Sequence, residues 1–137
     1  GIELVEAVTP NTAGVNAAVR SLVGNVDAIY LPTDNAVIAS LEAVIKTSLD
    51  NKIPIYPAED DSIRKGGVAV LSISYYELGR QTGRMAARIL KEKVLPADIP
   101  VEDQTDHQLI VNAKYAAEID LAVPGAVLAK ADEIIDK

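Results

Sequence analysis

The sequence of 137 residues contains no cysteine, no tryptophan and no phenylalanine, and only one methionine and one histidine. Without thiols the chain forms no disulfide and carries no thiolate chemistry, which leaves its redox compartment open. Positive charge is also scarce: 13 lysines and arginines stand against 20 acids, for a net charge of −7. The acids are spread along the chain and form no tail, so neither duplex nucleic acid nor an anionic membrane surface is an expected partner, since both call for a basic footprint. No apolar run approaches the ~20 residues needed to span a bilayer. No charged-then-apolar leader stands before Gly1 and the chain does not open on methionine, so it reads as a trimmed or excised piece whose missing leader says nothing about export. Glycine-rich phosphate loops of the G-x-G-x-x-G or G-x-x-x-x-G-K-S/T type, a nucleophile elbow and recurring metal-ligand spacings are absent too. Binding is therefore favoured over catalysis, and no cofactor is expected.

What is present is a chain that is 49% hydrophobic, one domain's worth, able to bury a core without staples. "IELVEAV" (2–8) alternates apolar and polar residues and predicts a strand near a sheet edge. "NAAVRSLVG" (16–24) places Val15, Ala18, Val19, Leu22 and Val23 on one helical stripe, with Gly24-Asn25 as its stop. "VDAIYLP" (26–32) and "IPIYPA" (53–58) are compact apolar runs, expected as parallel strands covered on both faces, which would place Tyr30 and Tyr56 in the core. Between them "NAVIASLEAVIKTSLDNK" has helical spacing, completing a βαβ unit with right-handed crossover. "VAVLSIS" (68–74) predicts another strand and "YELGRQTGRMAARILKEK" a long helix. Gly79, Gly83, Ala86 and Leu90 share one face of that helix, and Arg80, Arg84, Arg88 and Lys91 another that reads as solvated. Residues 94–106 read as a connector, "HQLIVN" as a short strand, and the remainder as two small helices split by Pro124-Gly125. The alternation predicts an α/β fold, a Rossmann-like parallel sheet sandwiched by helices.

In open parallel sheets ligands settle at the carboxyl ends of the strands. Three polar clusters fall there: Thr33-Asp34-Asn35, Glu59-Asp60-Asp61, and Ser72 to Tyr76. Thr33 or Asp34 can simply cap the following helix. Alternatively the helix N-terminus offers free N–H groups to a carboxylate while the neighbouring acid pairs with an ammonium, a combination suited to a zwitterion. Three or four charge-assisted hydrogen bonds of roughly 1.5–3 kcal/mol each, less ordering costs, reach micromolar affinity near −8 kcal/mol. Asp34 with Glu59, Asp60 and Asp61 could instead form an Mg²⁺ pocket of a phosphoacceptor domain. The strand that should then end in a lysine ends in Ser74, which disfavours it. His107 starts a strand after a loop, away from the expected rim, and reads as a surface or packing residue.

The run from "VDAIYLPTDN" through "YYELGRQTG" to the closing "LIVNAKYAAEIDLAVP" resembles the substrate-binding proteins of ABC importers in the tryptophan/aromatic amino acid group, a branch of the type I periplasmic-binding-protein fold. The resemblance runs through nearly the whole chain. It implies two α/β lobes joined by three crossing strands, with residues 1–66 a segment of the second lobe, 67–96 a hinge strand and helix of the first, and 97–137 a return to the second. "VAVLSIS" and the "DQTDHQ" region would be hinge crossings. The body of the first lobe, and an opening strand and helix of the second, would lie outside these residues. An isolated chain would then leave an exposed edge, or self-associate, and the Gly79/Gly83 face would seek another partner surface.

By the same resemblance Thr33, Asp34 and Asn35 match the ligand-contacting turn, Glu59 the polar residue after the next strand, and Ser74 with Tyr75 the cleft edge of the hinge. Relatives commonly carry an acid where Ser74 stands, and Pro57 replaces a commoner small residue. The implied protein is no enzyme. It is an extracellular or periplasmic, lipoprotein-anchored importer component that closes on a small amino acid, an aromatic one included, and then docks on an ABC permease. With Phe and Trp absent, stacking on an aromatic ligand would fall to tyrosines such as Tyr75 and Tyr76. The effector-binding domain of a transcription regulator, which uses the same fold, is the alternative, alongside the phosphoacceptor.

Overall fold

The computed structural model describes residues 1–104 and 107–137. Its first element is not the strand expected at residues 2–8. That segment is irregular, with Ile2, Leu4 and Val8 exposed, because among the described residues no strand lies alongside to accept its hydrogen bonds. Alternation supplies a face for a strand but not a partner.

Helix α1 (Thr12–Leu22) starts where the Asn11 side chain accepts from Gly14 N–H at 3.1 Å, and it buries Val15 and Val19 one turn apart. Gly24, at φ 77°, turns the chain after it. Strands β1 (Ile29–Leu31) and β2 (Ile55–Pro57) pair in parallel, Ile29 opposite Ile55 and Leu31 opposite Pro57. The expected single helix between them is two. α2 (Asn35–Ala39) and α3 (Leu41–Asn51) are separated at Ser40, whose hydroxyl donates to the Thr12 carbonyl at the start of α1. α4 (Asp60–Lys65) then leads into β3 (Ala69–Ile73).

β3 opens a second sheet of order β3-β4-β5. β4 (His107–Asn112) lies antiparallel to β3 and parallel to β5 (Glu133–Ile135). Val68 ties the two sheets together: its N–H donates to Ile55 O at 2.8 Å and its carbonyl accepts from Asn112 N–H at 2.9 Å. That approach requires the glycine before it. Gly67 sits at φ 126°, and a Cβ there would lie 2.7 Å from Pro57 Cδ and 3.2 Å from Ile55 O. The remaining helices are α5 (Tyr75–Lys91), α6 (Ala113–Glu118) and α7 (Gly125–Leu128). The connector after α5 includes a short 3₁₀ turn at Pro96–Asp98, and Thr105 and Asp106 of the expected "DQTDHQ" crossing fall outside the described residues. The tail read as two helices ends in β5, a three-residue strand too short to show a period of its own.

The main core gathers Val15, Val19, Leu41, Val44 and Ile55 with Tyr115, Ala116 and Ile119 of the α6 region, and a smaller one gathers Ile63, Val70 and Ile110. Complete burial of a side chain such as Ile55 contributes ~1.5–3 kcal/mol. Inside the main core the Ser48 hydroxyl donates to the Ile53 carbonyl and shares a hydrogen bond with the Tyr115 hydroxyl, joining α3 to α6. Burial pushes the Tyr115 phenol above its ordinary pKa.

Among the described residues only one face of β1 and β2 is covered. Ile29, Leu31 and Ile55 point into the core, while Tyr30 is 67% exposed and Tyr56 36%. The expectation of two covered faces, with both tyrosines in the core, is thus overturned. The strands alternate, and a tyrosine at the middle position tolerates water on its far side. Among the described residues α5 has none fully buried, and nothing lies within 4 Å of where a Cβ would stand on Gly79 or Gly83.

Candidate functional site

The β1/β2 register aligns the carboxyl ends of the two strands, and Ala58 N–H donates to Leu31 O at 3.0 Å just beyond them. The Thr33–Asn35 turn and Glu59 therefore leave the sheet from the same edge. Thr33, Asp34 and Asn35 are exposed and Glu59 is half-buried.

Asp34 is the N-cap of α2. Its Oδ1 accepts from the N–H groups of Ala36 at 2.8 Å and Val37 at 3.1 Å, so both of those donors are already taken. The expected offer of free helix N–H groups to a ligand carboxylate is narrowed accordingly. Both bonds fall on Oδ1, and Oδ2 takes no part in the cap. Glu59 occupies the equivalent position before α4 and accepts from the Ser62 hydroxyl at 2.7 Å. Asp60 lies 3.0 Å from the Arg64 guanidinium of its own helix, and Arg64 also pairs with Glu133 at 2.7 Å, which ties α4 to β5. The Arg64 hydrogen bond holds the Glu133 carboxyl below its usual range. Among the described residues no group of three His, Asp or Glu side chains could hold a metal ion, so the acidic residues at this edge do not assemble into the Mg²⁺ pocket considered above.

Ser74 and Tyr75 stand at the end of β3. Ser74 caps α5, its hydroxyl accepting from Glu77 N–H at 3.3 Å, and Tyr75 is 65% exposed. The following residue, Tyr76, has the Arg80 guanidinium 5.9 Å from its ring centroid, Arg80 also reaching Glu77 at 3.3 Å. His107 is nearer than its sequence context suggests. The antiparallel register sets it opposite Ile73, one residue from Ser74. Gln104, unmarked by any sequence pattern, donates from Nε2 to the Ser74 carbonyl at 3.2 Å across 30 residues of chain. Arg88, expected on a solvated row, instead donates to Glu102.

An open groove of about 400 Å³ lies elsewhere, on the bare sheet face between Tyr30, Tyr56, Leu71 and Leu109. None of Thr33, Asp34, Asn35, Glu59, Ser74 or Tyr75 lines it. The strand-end residues form an exposed rim instead of an enclosed cavity. Among the described residues no helix is long and apolar enough to cross a membrane.

A family model for ABC transporter substrate binding proteins matches residues 1–135. The chain is 36% identical over 119 residues to the tyrosine-binding protein of Clostridioides difficile, covering 87% of this chain and 34% of that one. Among solved structures it is similar to the ABC domain from Streptococcus pneumonia in complex with L-Trp, with a TM-score of 0.84, 30% identity, and coverage of 98% of this chain and 46% of that one. It is also similar to the ligand-free, open structure of a substrate binding protein with adhesive properties from Clostridium difficile, with a TM-score of 0.75, 34% identity, and coverage of 100% and 45%. The chain thus spans about a third of the curated relative and under half of each solved chain.

Proposed function

The chain belongs to the ABC transporter substrate-binding protein family, and we propose that it is part of the solute-binding component of an importer that captures an amino acid by hinge closure. The observation that carries this is the shared edge of β1 and β2. It sets an acid whose second carboxylate oxygen is outside its cap, Asp34, on the same side as Thr33, Asn35 and Glu59. An ammonium against Asp34 and Glu59, with the carboxylate of the same ligand taken by hydroxyl and amide donors of Thr33 and Asn35, uses each group in its ordinary charge state. Ser74 and Tyr75 form the lip across which the second body closes, Tyr75 offering a face to an aromatic side chain. The L-Trp complex and the tyrosine-binding relative support an aromatic amino acid as the first ligand to try.

In this reading residues 1–66 belong to one lobe, 67–96 are the hinge strand and helix of the other, and 97–137 are the hinge return followed by the C-terminal segment of the lobe that holds 1–66. The exposed rim and an α5 with no fully buried residue among those described fit a chain carrying one wall of a two-walled site. Mobility of the wall that carries the lip is supported by α5, none of whose residues is fully buried among the described residues. Closure is driven by ligand contacts that exist on both sides only in the shut form, and the shut form is what a permease distinguishes. No bond is made or broken. The place of action is extracellular or periplasmic, with lipid anchoring of the whole protein.

The test is a thermal-shift and calorimetric screen of the twenty amino acids against the full-length protein. A rise in melting temperature with L-tryptophan or L-tyrosine is the expected result. Absence of a shift with all twenty would overturn the amino acid reading.

A further inference from the structure

α5 is 17 residues long yet buries none of them fully. Its first turn carries Ser74 and Tyr75. Among the described residues, a set of polar contacts to it comes from one short stretch of the connector. Glu102 accepts from Arg88 and, at 3.4 Å, from Gln81. Gln81 also reaches the Asp103 carbonyl at 3.4 Å, and Gln104 donates to the Ser74 carbonyl at 3.2 Å. Glu102 and Arg88 are mostly covered, at 28% and 35% side-chain exposure, unlike the open pairs Lys46–Asp50 and Lys52–Asp120.

We propose that residues 102–104 are a strap that sets the position of the ligand lip, with Glu102 and Gln104 as its positioning residues. Glu102 grips α5 at two sites seven residues apart, two turns of the helix, which fixes the axis and not just one end. Gln104 fixes the point from which the helix departs. Hydrogen bonds to a charged group are stronger than neutral ones and directional, so the helix and the connector move as one body. The Arg88 guanidinium beside Glu102 holds its carboxyl below the usual carboxylate range, which keeps the charged end of the strap ionised further into acid than a free carboxylate. The role assigned to the lip rests on the amino acid reading above, whereas the strap itself does not.

Hydrogen exchange and ligand titration of the full-length protein separate the two. Amides of residues 75–88 should exchange on the order of tenfold faster in Glu102→Ala, and those of 75–80 in Gln104→Ala, while the melting temperature stays within about 2 °C of wild type because neither core is touched. Affinity for L-tryptophan or L-tyrosine, whichever binds, should fall in both variants, and Glu102→Asp should restore part of the protection. Unchanged exchange in α5 would overturn the strap. So would faster exchange spread evenly over β1 to β4 with a lowered melting temperature, which is the mark of a merely structural role. If wild type binds neither amino acid, the ligand reading fails and the exchange data alone decide the strap.

Discussion

Asp34 does two jobs in this reading, and a pair of substitutions separates them. Its Oδ1 caps α2 through the Ala36 and Val37 N–H groups, while its charge is assigned to a ligand ammonium. Asn is as good an N-cap as Asp, so Asp34→Asn keeps both bonds and should change stability by only a few tenths of a kcal/mol. Asp34→Ala loses them, at a cost of about 1 kcal/mol, or roughly 3–6 °C in melting temperature for a domain of this size. The charge-assisted bond to an ammonium is worth roughly 1.5–3 kcal/mol, so both variants should bind L-tryptophan or L-tyrosine about 10- to 150-fold more weakly. Calorimetric titration reads the affinity and circular dichroism the melting temperature. The expected pattern is Asn weak-binding but stable, and Ala weak-binding and less stable. Wild-type affinity in the Asn variant would show that the carboxylate is only a cap, and the assignment of the site would fall with it.

Two further substitutions address the fold that holds this edge in place. Ser48→Ala strips the buried Tyr115 hydroxyl and the Ile53 carbonyl of a partner, whereas Tyr115→Phe removes a hydroxyl and leaves the Ser48–Ile53 bond intact. Urea unfolding should show Ser48→Ala costing roughly 2–4 kcal/mol and Tyr115→Phe about 1. The double variant should be less harmful than the sum, and simple additivity would refute the shared network. Gly67→Ala should lose at least ~2 kcal/mol, because its φ of 126° and the approach to Pro57 and Ile55 forbid a Cβ. Gly24→Ala, at φ 77° with nothing within 4 Å, serves as control and should lose about 1 kcal/mol.

Much of this architecture is legible from local pattern. The valine spacing of α1, the Asp34 cap and the turn at Gly24 are each set within about four residues, so spacing alone locates them. The positions that misled are those whose state depends on something distant in sequence. Residues 2–8 carry the alternation of a strand but are unpaired, and β5 is a strand only because β4 runs beside it. Ser40 interrupts what reads as one helix, and its hydroxyl bonds back to α1. Tyr30 and Tyr56 read as core from apolar neighbours, but burial depends on whether another layer covers the face, and none of the described residues does so. At the candidate site the sequence places Thr33, Asp34, Asn35 and Glu59 after strands. Only the pairing of Leu31 with Pro57 sets them on one edge.

The residue order by itself determined the helices α1 and α5, the apolar runs that became β1 to β3 and the cap at Asp34, since backbone propensity, capping and side-chain period are settled between near neighbours. Tertiary structure alone decided which extended segments found a ladder, which tyrosines met water, and that His107 and Gln104 come up beside Ser74. Hydrogen bonds between strands and burial between layers join residues tens of positions apart, and no local spacing encodes which of them will meet.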